Sequence, residues 1–197
     1  MPKARKTRNK VMEALRVLIP IGLVVFFAGM LCACALPEKT KTLTAPYEEN
    51  ALATSHRFVP LEEGVLYTSR EPNEAFIRWL VAEKGVRTFI SLRGDIPQWK
   101  EDLIEQSGSE LLMFSWSAHR VPPQGELEQV LRFMRERSNG PVLVFCRAGV
   151  DRTGLVRAWW RFFEQGWSEE EALAEFRGMG HIPNVLDTFL EKEFAKH

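Results

Sequence analysis

The sequence predicts an α/β fold: a single domain with a largely parallel central sheet of about four or five strands flanked by helices, preceded by an N-terminal hydrophobic helix. Three observations carry that reading. Beyond residue 57, short β-rich runs alternate with helical patterns, as parallel strands joined by helices on the faces of a sheet do. One apolar run, Val142-Leu143-Val144-Phe145, passes through a glycine-containing loop straight into a helical pattern. Of the 197 residues, an apolar leader takes about 36, and the roughly 160 that remain suit one sizeable core rather than two.

The leader comes first. Val17 to Leu36 reads VLIPIGLVVFFAGMLCACAL, without a charge and long enough to span a hydrocarbon layer as a helix. Lys3, Arg5, Lys6, Arg8, Lys10 and Arg16 precede it, opposed only by Glu13. Basic flanks stay cytoplasmic, so the chain beyond Leu36 is expected to be translocated, periplasmic or extracellular. Three readings of residues 1–36 stand side by side: a transmembrane anchor, a lipoprotein signal with Cys34 as the lipidated residue of a lipobox-like Leu31-Cys32-Ala33-Cys34, and a cleaved signal peptide. The whole chain carries 26 basic and 26 acidic side chains, but from Pro37 onward 20 basic residues face 25 acidic ones. That balance offers no concentrated basic face for nucleic acid.

Residues 37–56, polar and without sustained periodicity, read as a linker, and the domain proper is expected over 57–197. The strands are expected at Val65 to Thr68, Arg87 to Leu92, Leu111 to Trp116 and Val142 to Phe145. Between them, Glu71 to Lys84 sets Phe76, Leu80 and Val81 on one helical face, and Gln98 to Ser107 does so with Trp99, Leu103 and Ile104. Gly125 to Arg137 repeats the pattern with Leu127, Val130, Leu131 and Met134. Leu155 to Gln165 is apolar enough to pack deeply, with one ring of Trp159-Trp160 expected in the core and the other exposed. Ser168 with Glu171 reads as a capping box opening a helix through Phe176. A last helix is expected from Val185 to about Phe194.

Chemistry in such sheets gathers at the carboxyl ends of the strands. Here the fourth expected strand runs into Cys146, and Arg152-Thr153-Gly154-Leu155 begins the next helix. A tight strand-to-helix loop turns backbone N–H groups inward, and with the positive end of the helix dipole these make a cradle for a phosphate. Gly149 permits the left-handed backbone such a turn needs. The same field favours a thiolate, the form in which Cys146 can attack phosphorus in line. Arg152 supplies a planar fork for two oxygens of the transferring group, and Thr153 stands where its hydroxyl could hold the sulfur. Cys146 is the only cysteine beyond the leader and has no partner for an intramolecular disulfide. The four histidines, His56, His119, His181 and His197, have no metal-ligand spacing, and neither metal nor cofactor is expected.

The run Cys146-Arg147-Ala148-Gly149-Val150-Asp151-Arg152-Thr153-Gly154 resembles the signature of the cysteine-dependent protein tyrosine and dual-specificity phosphatase superfamily. Val65-Leu66-Tyr67-Thr68-Ser69, Gly85 to Gly94 and Pro141 to Cys146 are similar, in order and spacing, to small bacterial dual-specificity-like phosphatases, so the resemblance covers roughly Arg57 to Phe194. It implies hydrolysis of phosphate monoesters, on phosphotyrosine or phosphoserine/threonine proteins, through a cysteinyl-phosphate. Cys146, Arg152 and Asp151 would be catalytic, and Arg147, Ala148, Gly149, Val150, Thr153 and Gly154 would bind substrate. The alternatives are a phosphoinositide or inositol-phosphate phosphatase, and a catalytically inactive phosphate-binding domain. The expected partners are a phosphorylated protein or small phosphate ester, and a membrane through the N-terminal segment.

Two positions depart from the superfamily pattern. Phe145 stands where a histidine usually precedes the nucleophile. The segment Ser115 to Pro123, where relatives carry an aspartate as general acid, holds no carboxylate. Asp151 is the nearest candidate donor, resembling the aspartate before the signature arginine of myotubularin and Sac lipid phosphatases; Asp95, and His119 or water, are the others. A structural role for Asp151, accepting N–H bonds within the loop, stands beside the catalytic one. Arg147 is expected to point outward, Arg93 and Arg120 to be surface salt-bridge partners with Arg120 a candidate substrate contact, and His181 to serve a turn or cap, or to support the loop from behind.

Overall fold

The computed structural model describes residues 46–123, 125–136 and 139–197. The apolar segment 17–36 lies outside them, and among the described residues no helix is long and apolar enough to cross a membrane. The elements of the described residues run in the order α1 (Pro46–Ser55), β1 (Val59–Glu62), β2 (Leu66–Arg70), α2 (Glu74–Ala82), β3 (Thr88–Ser91), α3 (Gln98–Gln106), β4 (Glu110–Met113), α4 (Glu126–Glu136), β5 (Val142–Cys146), α5 (Asp151–Phe163), α6 (Glu169–Gly178) and α7 (Val185–Phe194). These strands form one sheet in the order β1-β2-β5-β3-β4. β5 lies at its centre, parallel to β2 and β3; β3 and β4 are parallel as well, and β1 runs antiparallel to β2.

Alternation along β5 divides the core. Val142, Val144 and Cys146 face α4 to α7, whereas Leu143 and Phe145 face α2 and α3. Every residue of β5 is buried, the signature of a strand covered on both faces. On one side, Leu127, Val130, Leu131 and Met134 of α4 are buried as their spacing predicts. On the other, Phe76 stacks on Trp79 with ring centroids 5.4 Å apart, and Phe58 lies edge-on to both.

The four expected strands and six expected helices are present, and the capping box at Ser168 and Glu171 is formed. Several expectations change. The end of the segment read as a linker is helix α1, and the His56 ring that comes after it is stacked 4.1 Å from Phe76. Its sequence has no amphipathic stripe, so it is held by what it packs against. Strand β1 is masked in the sequence by Pro60, a residue tolerated on an edge strand where its missing N–H faces away from the ladder. Trp99, expected inside, is 47% exposed, while Lys100 is buried in its stead. The reason is a charge: the Lys100 ammonium reaches the Glu71 carboxylate. Finally, both Trp159 and Trp160 are buried, because α5 is covered by the sheet, α4, α6 and α7.

Candidate active site

Cys146 ends the central strand, and α5 begins five residues later. The intervening loop curls over the end of β2. Gly149 makes this possible twice over. Its φ is +70°, and a Cβ there would lie 2.6 Å from the Arg70 amide nitrogen and 2.9 Å from the Arg70 Cα. The Gly149 N–H points inward and donates to Cys146 Sγ at 3.3 Å, so the sulfur lies in the field of an inward amide and of the N-terminus of a 13-residue helix. The sulfur's donor is therefore a backbone amide and not the Thr153 hydroxyl, which is buried with no hydrogen-bond partner. Gly154 serves packing: a Cβ there would meet the Phe176 ring at 2.8 Å, so its absence lets α6 approach α5.

Arg152 sits one residue into α5. Its Nη1 donates to the Trp116 carbonyl at 3.1 Å, with the Leu92 carbonyl at 3.5 Å, tying the loop to the segments that leave β3 and β4. Its Nε is buried and has no partner. Trp116 is buried, and its indole N–H donates to Glu126 at 2.7 Å, which pins the segment after β4 to the start of α4. Gly94 and Ser115 bring the two loops together, since a Cβ on Gly94 would lie 2.8 Å from the Ser115 hydroxyl. Phe145, where a histidine was to be expected, is fully buried in the α2–α3 core, paired across the sheet with Ser69 and Ser91.

The rim is charged. Arg147 and Ala148 are exposed, whereas Gly149 and Val150 are buried, so the first half of the loop reaches out and the second half lines it. Arg93 forks onto Asp95 at 2.9 and 3.0 Å and also donates to Glu71 at 2.5 Å. The Arg93 guanidinium, with Arg147 adding a smaller pull, holds the exposed Asp95 carboxyl below its usual range. Burial pushes Glu71 up, but Lys100 and Arg93 outweigh it and leave it below the usual range. Arg93 is thus a salt-bridge partner as expected. His119 and Arg120 are exposed or nearly so, in a turn where the His119 amide donates to the Ser117 hydroxyl.

Asp151 opens α5 and turns to His181, its Oδ1 lying 2.7 Å from Nδ1. The other ring nitrogen of His181 lies 2.6 Å from Asp187 Oδ2. Asp187 also accepts from the Asn184 amide at 2.8 Å and from Arg177 Nε at 3.1 Å. Of the two roles open to His181, support of the loop from behind is the one realised. Its partner Asp187 escaped sequence reasoning, because its pairing with His181 and Arg177 is a tertiary matter. Among the described residues, no cluster of histidine, cysteine and carboxylate side chains could hold a metal.

A largely parallel sheet whose central strand ends in a cysteine, with an inward glycine amide on its sulfur and an arginine at the loop's exit, defines the cysteine-dependent phosphatase superfamily. The chain belongs to the family described as PTP-NADK, a DSP-PTPase phosphatase fused to NAD+ kinase, whose profile matches residues 51–185. It is similar to the dual specificity protein phosphatase TpbA of Pseudomonas aeruginosa PAO1, with 30% identity over 125 residues, 62% of this chain and 55% of that protein. The chain thus spans little more than half the length of the curated relatives it matches. The crystal structure of P. aeruginosa TpbA superposes with a TM-score of 0.57 and 28% identity, covering 73% of this chain and 85% of that one. A Cys-to-Ser form of TpbA in complex with pTyr gives 0.55 and 26%, over 73% and 93% of the two chains. The catalytic core of the Saccharomyces cerevisiae PP-IP phosphatase Siw14 shares the fold, with a TM-score of 0.62 at 22% identity over 68% and 83%.

Proposed function

We propose that this protein hydrolyses phosphate monoesters of proteins, phosphotyrosine or phosphoserine/threonine, through a cysteinyl-phosphate on Cys146. The observation that carries this reading is the Gly149 amide aimed at a sulfur that lies at the N-terminus of α5. In the first step Sγ bonds to phosphorus as the bond to the leaving oxygen breaks. The Gly149 amide, which points inward, and the Arg152 guanidinium receive the charge on the equatorial oxygens, joined in this proposal by the Ala148 and Val150 amides, with Thr153 and Gly154 shaping the helix start beneath them. Asp151 protonates the leaving oxygen. In the second step water adds to phosphorus, its proton passes to Asp151, and the S–P electrons return to sulfur. The family membership and the likeness to TpbA, which one structure holds in complex with pTyr, support the assignment.

The first test is phosphate release from an aryl phosphate by the reduced protein and by Cys146→Ser. Activity that disappears in the variant supports the thiol as nucleophile; an inactive wild type favours a phosphate-binding domain. The exposed Arg147 beside the nucleophile suits a second anionic group, as on an inositol phosphate. Turnover of phosphopeptides and inositol phosphates side by side decides between them, and strong preference for the latter overturns the protein-phosphatase reading. We also propose that residues 1–36 tether or export the domain, through a transmembrane anchor or lipidation at Cys34. Fractionation, with mass measurement of wild type and Cys34→Ser, tests this.

A further inference from the structure

His181 has a fully buried side chain, and the Phe176 ring lies 4.1 Å from its own. Each of its two nitrogens meets a carboxylate, Asp151 from α5 and Asp187 from α7. Each contact needs one hydrogen, because an imidazole nitrogen and a carboxylate oxygen cannot bond as two acceptors. On the Asp187 side the hydrogen belongs to the ring. Both Asp187 oxygens already accept, Oδ2 from the Asn184 amide and Oδ1 from Arg177, which also binds Glu191 at 2.5 Å. Burial pushes the Asp187 carboxyl up, yet Asn184, His181 and Arg177 together hold it below its usual range. Asp187 is therefore an anion, and Nε2 carries the hydrogen.

The second hydrogen lies between His181 Nδ1 and Asp151 Oδ1. Two forms share this geometry: an imidazolium facing a carboxylate, and a neutral imidazole accepting from a carboxylic acid. They differ only in where along the bond the hydrogen rests. Asp151, 22% exposed at the head of α5, is the end of this chain of groups that meets solvent, whereas His181 and Asp187 lie behind it. Arg57 approaches the same turn but donates to the Met179 carbonyl.

We infer that Asp187 and His181 form a proton relay behind the catalytic loop, which keeps Asp151 supplied with the hydrogen it delivers to the leaving oxygen. The inference rests on Asp151 being the proton donor. In the first half-reaction one proton leaves the trio: the Nδ1 hydrogen is drawn onto Asp151 as Asp151 protonates the departing oxygen, and His181 is left neutral with Nε2–H on Asp187. In the second half the proton released by the attacking water restores the trio. His181 and Asp187 touch no reacting atom and are positioning residues. The relay answers the missing carboxylate in Ser115 to Pro123, since the acid stands instead within the loop and is charged from the α6–α7 turn.

The test uses the full chain with aryl phosphates spanning strongly to weakly acidic phenols, and Asp151→Asn, His181→Gln and Asp187→Asn. Single-turnover formation of the cysteinyl-phosphate is the readout. Wild type is expected to depend little on the leaving phenol. Each variant is expected to keep near-normal rates with the most acidic phenol and to lose on the order of 10²-fold with the least acidic. Adding His181→Gln to Asp151→Asn should cost nothing further. A His181→Gln protein with the wild-type dependence overturns the relay, and so does one that loses equally with every phenol, as a damaged scaffold does. If Asp151→Asn itself leaves the dependence unchanged, the donor assignment has failed, which is a distinct result. Nitrogen NMR of histidine-labelled wild type supplies a readout independent of turnover. The relay requires a hydrogen on Nε2 and a second hydrogen bond at Nδ1 that Asp151→Ala, which leaves no donor or acceptor there, removes; a free Nδ1 in the wild type overturns it.

Discussion

Replacing Gly149 by alanine probes the loop at its most crowded point. Three costs can be worked from the structure. The backbone stands at φ +70°, and an L-residue there loses about 1–2 kcal/mol. The new methyl would lie 2.6 Å from the Arg70 nitrogen, 2.9 Å from its Cα and 3.0 Å from the Ser69 carbonyl carbon, all backbone atoms of a paired strand that cannot rotate away. Overpacking of this kind costs about 1–3 kcal/mol. Against both, the stiffer unfolded chain returns about 0.4–1 kcal/mol. The sum is a loss of roughly 1–5 kcal/mol, centred near 3, or about 10 °C in Tm for a domain of this size. Because the shift also takes the Gly149 amide away from the sulfur, aryl phosphate turnover should fall on the order of 10²-fold. Gly166→Ala is the control, since Gly166 has the same φ of +70° with nothing within 4 Å of a Cβ. It should lose only the backbone part and keep its activity. Thermal unfolding by circular dichroism and phosphate release measure both. Equal stability losses in the two variants, or a fully active Gly149→Ala protein, would refute the close-approach argument.

The same geometry carries other expected outcomes. Arg152→Lys keeps the charge but not the fork; turnover should drop on the order of 10²-fold or more, whereas a near-normal rate would mean that a point charge suffices. Glu71→Gln leaves Lys100 and Arg93 without their shared anion, and denaturant unfolding should show a loss of about 3 kcal/mol at neutral pH. The Glu71 carboxyl lies below its usual value in the folded protein, so its contribution is complete above about pH 4.5 and fades as pH falls through the lower folded value. The gap between wild type and Glu71→Gln should therefore narrow on acidification, and a gap that widens would contradict the sign. Asp151→Asn should slow turnover of weakly acidic leaving groups more than activated ones, and a uniform effect would count against its role as donor.

Much of this protein could be read from its chain because the determining forces are local. Short β-rich runs mark β2 to β5, and period-3.6 patterns and a capping box mark the helices from α2 onward, since burial and capping need only the right residues at the right spacing. The loop from Cys146 to Gly154 is legible for the same reason, as a phosphate cradle is made by neighbouring amides, one permissive glycine and a helix start. What remained hidden depends on residues far apart in sequence. Helix α1 and edge strand β1 carry weak patterns; β1 is held by pairing with β2, and Leu52 of α1 packs on the core that holds Tyr67 and Phe76. Lys100 rather than Trp99 turns inward because Glu71, 29 positions earlier, waits at the end of another strand. Asp151 meets a histidine 30 positions on only because Gly154 lets α6 close against α5 and swing the next turn beneath the loop. Spacing along the chain could propose an acid for this site; the crossing of helices decided which groups stand behind it, because a hydrogen bond needs an approach that sequence neighbours alone cannot supply.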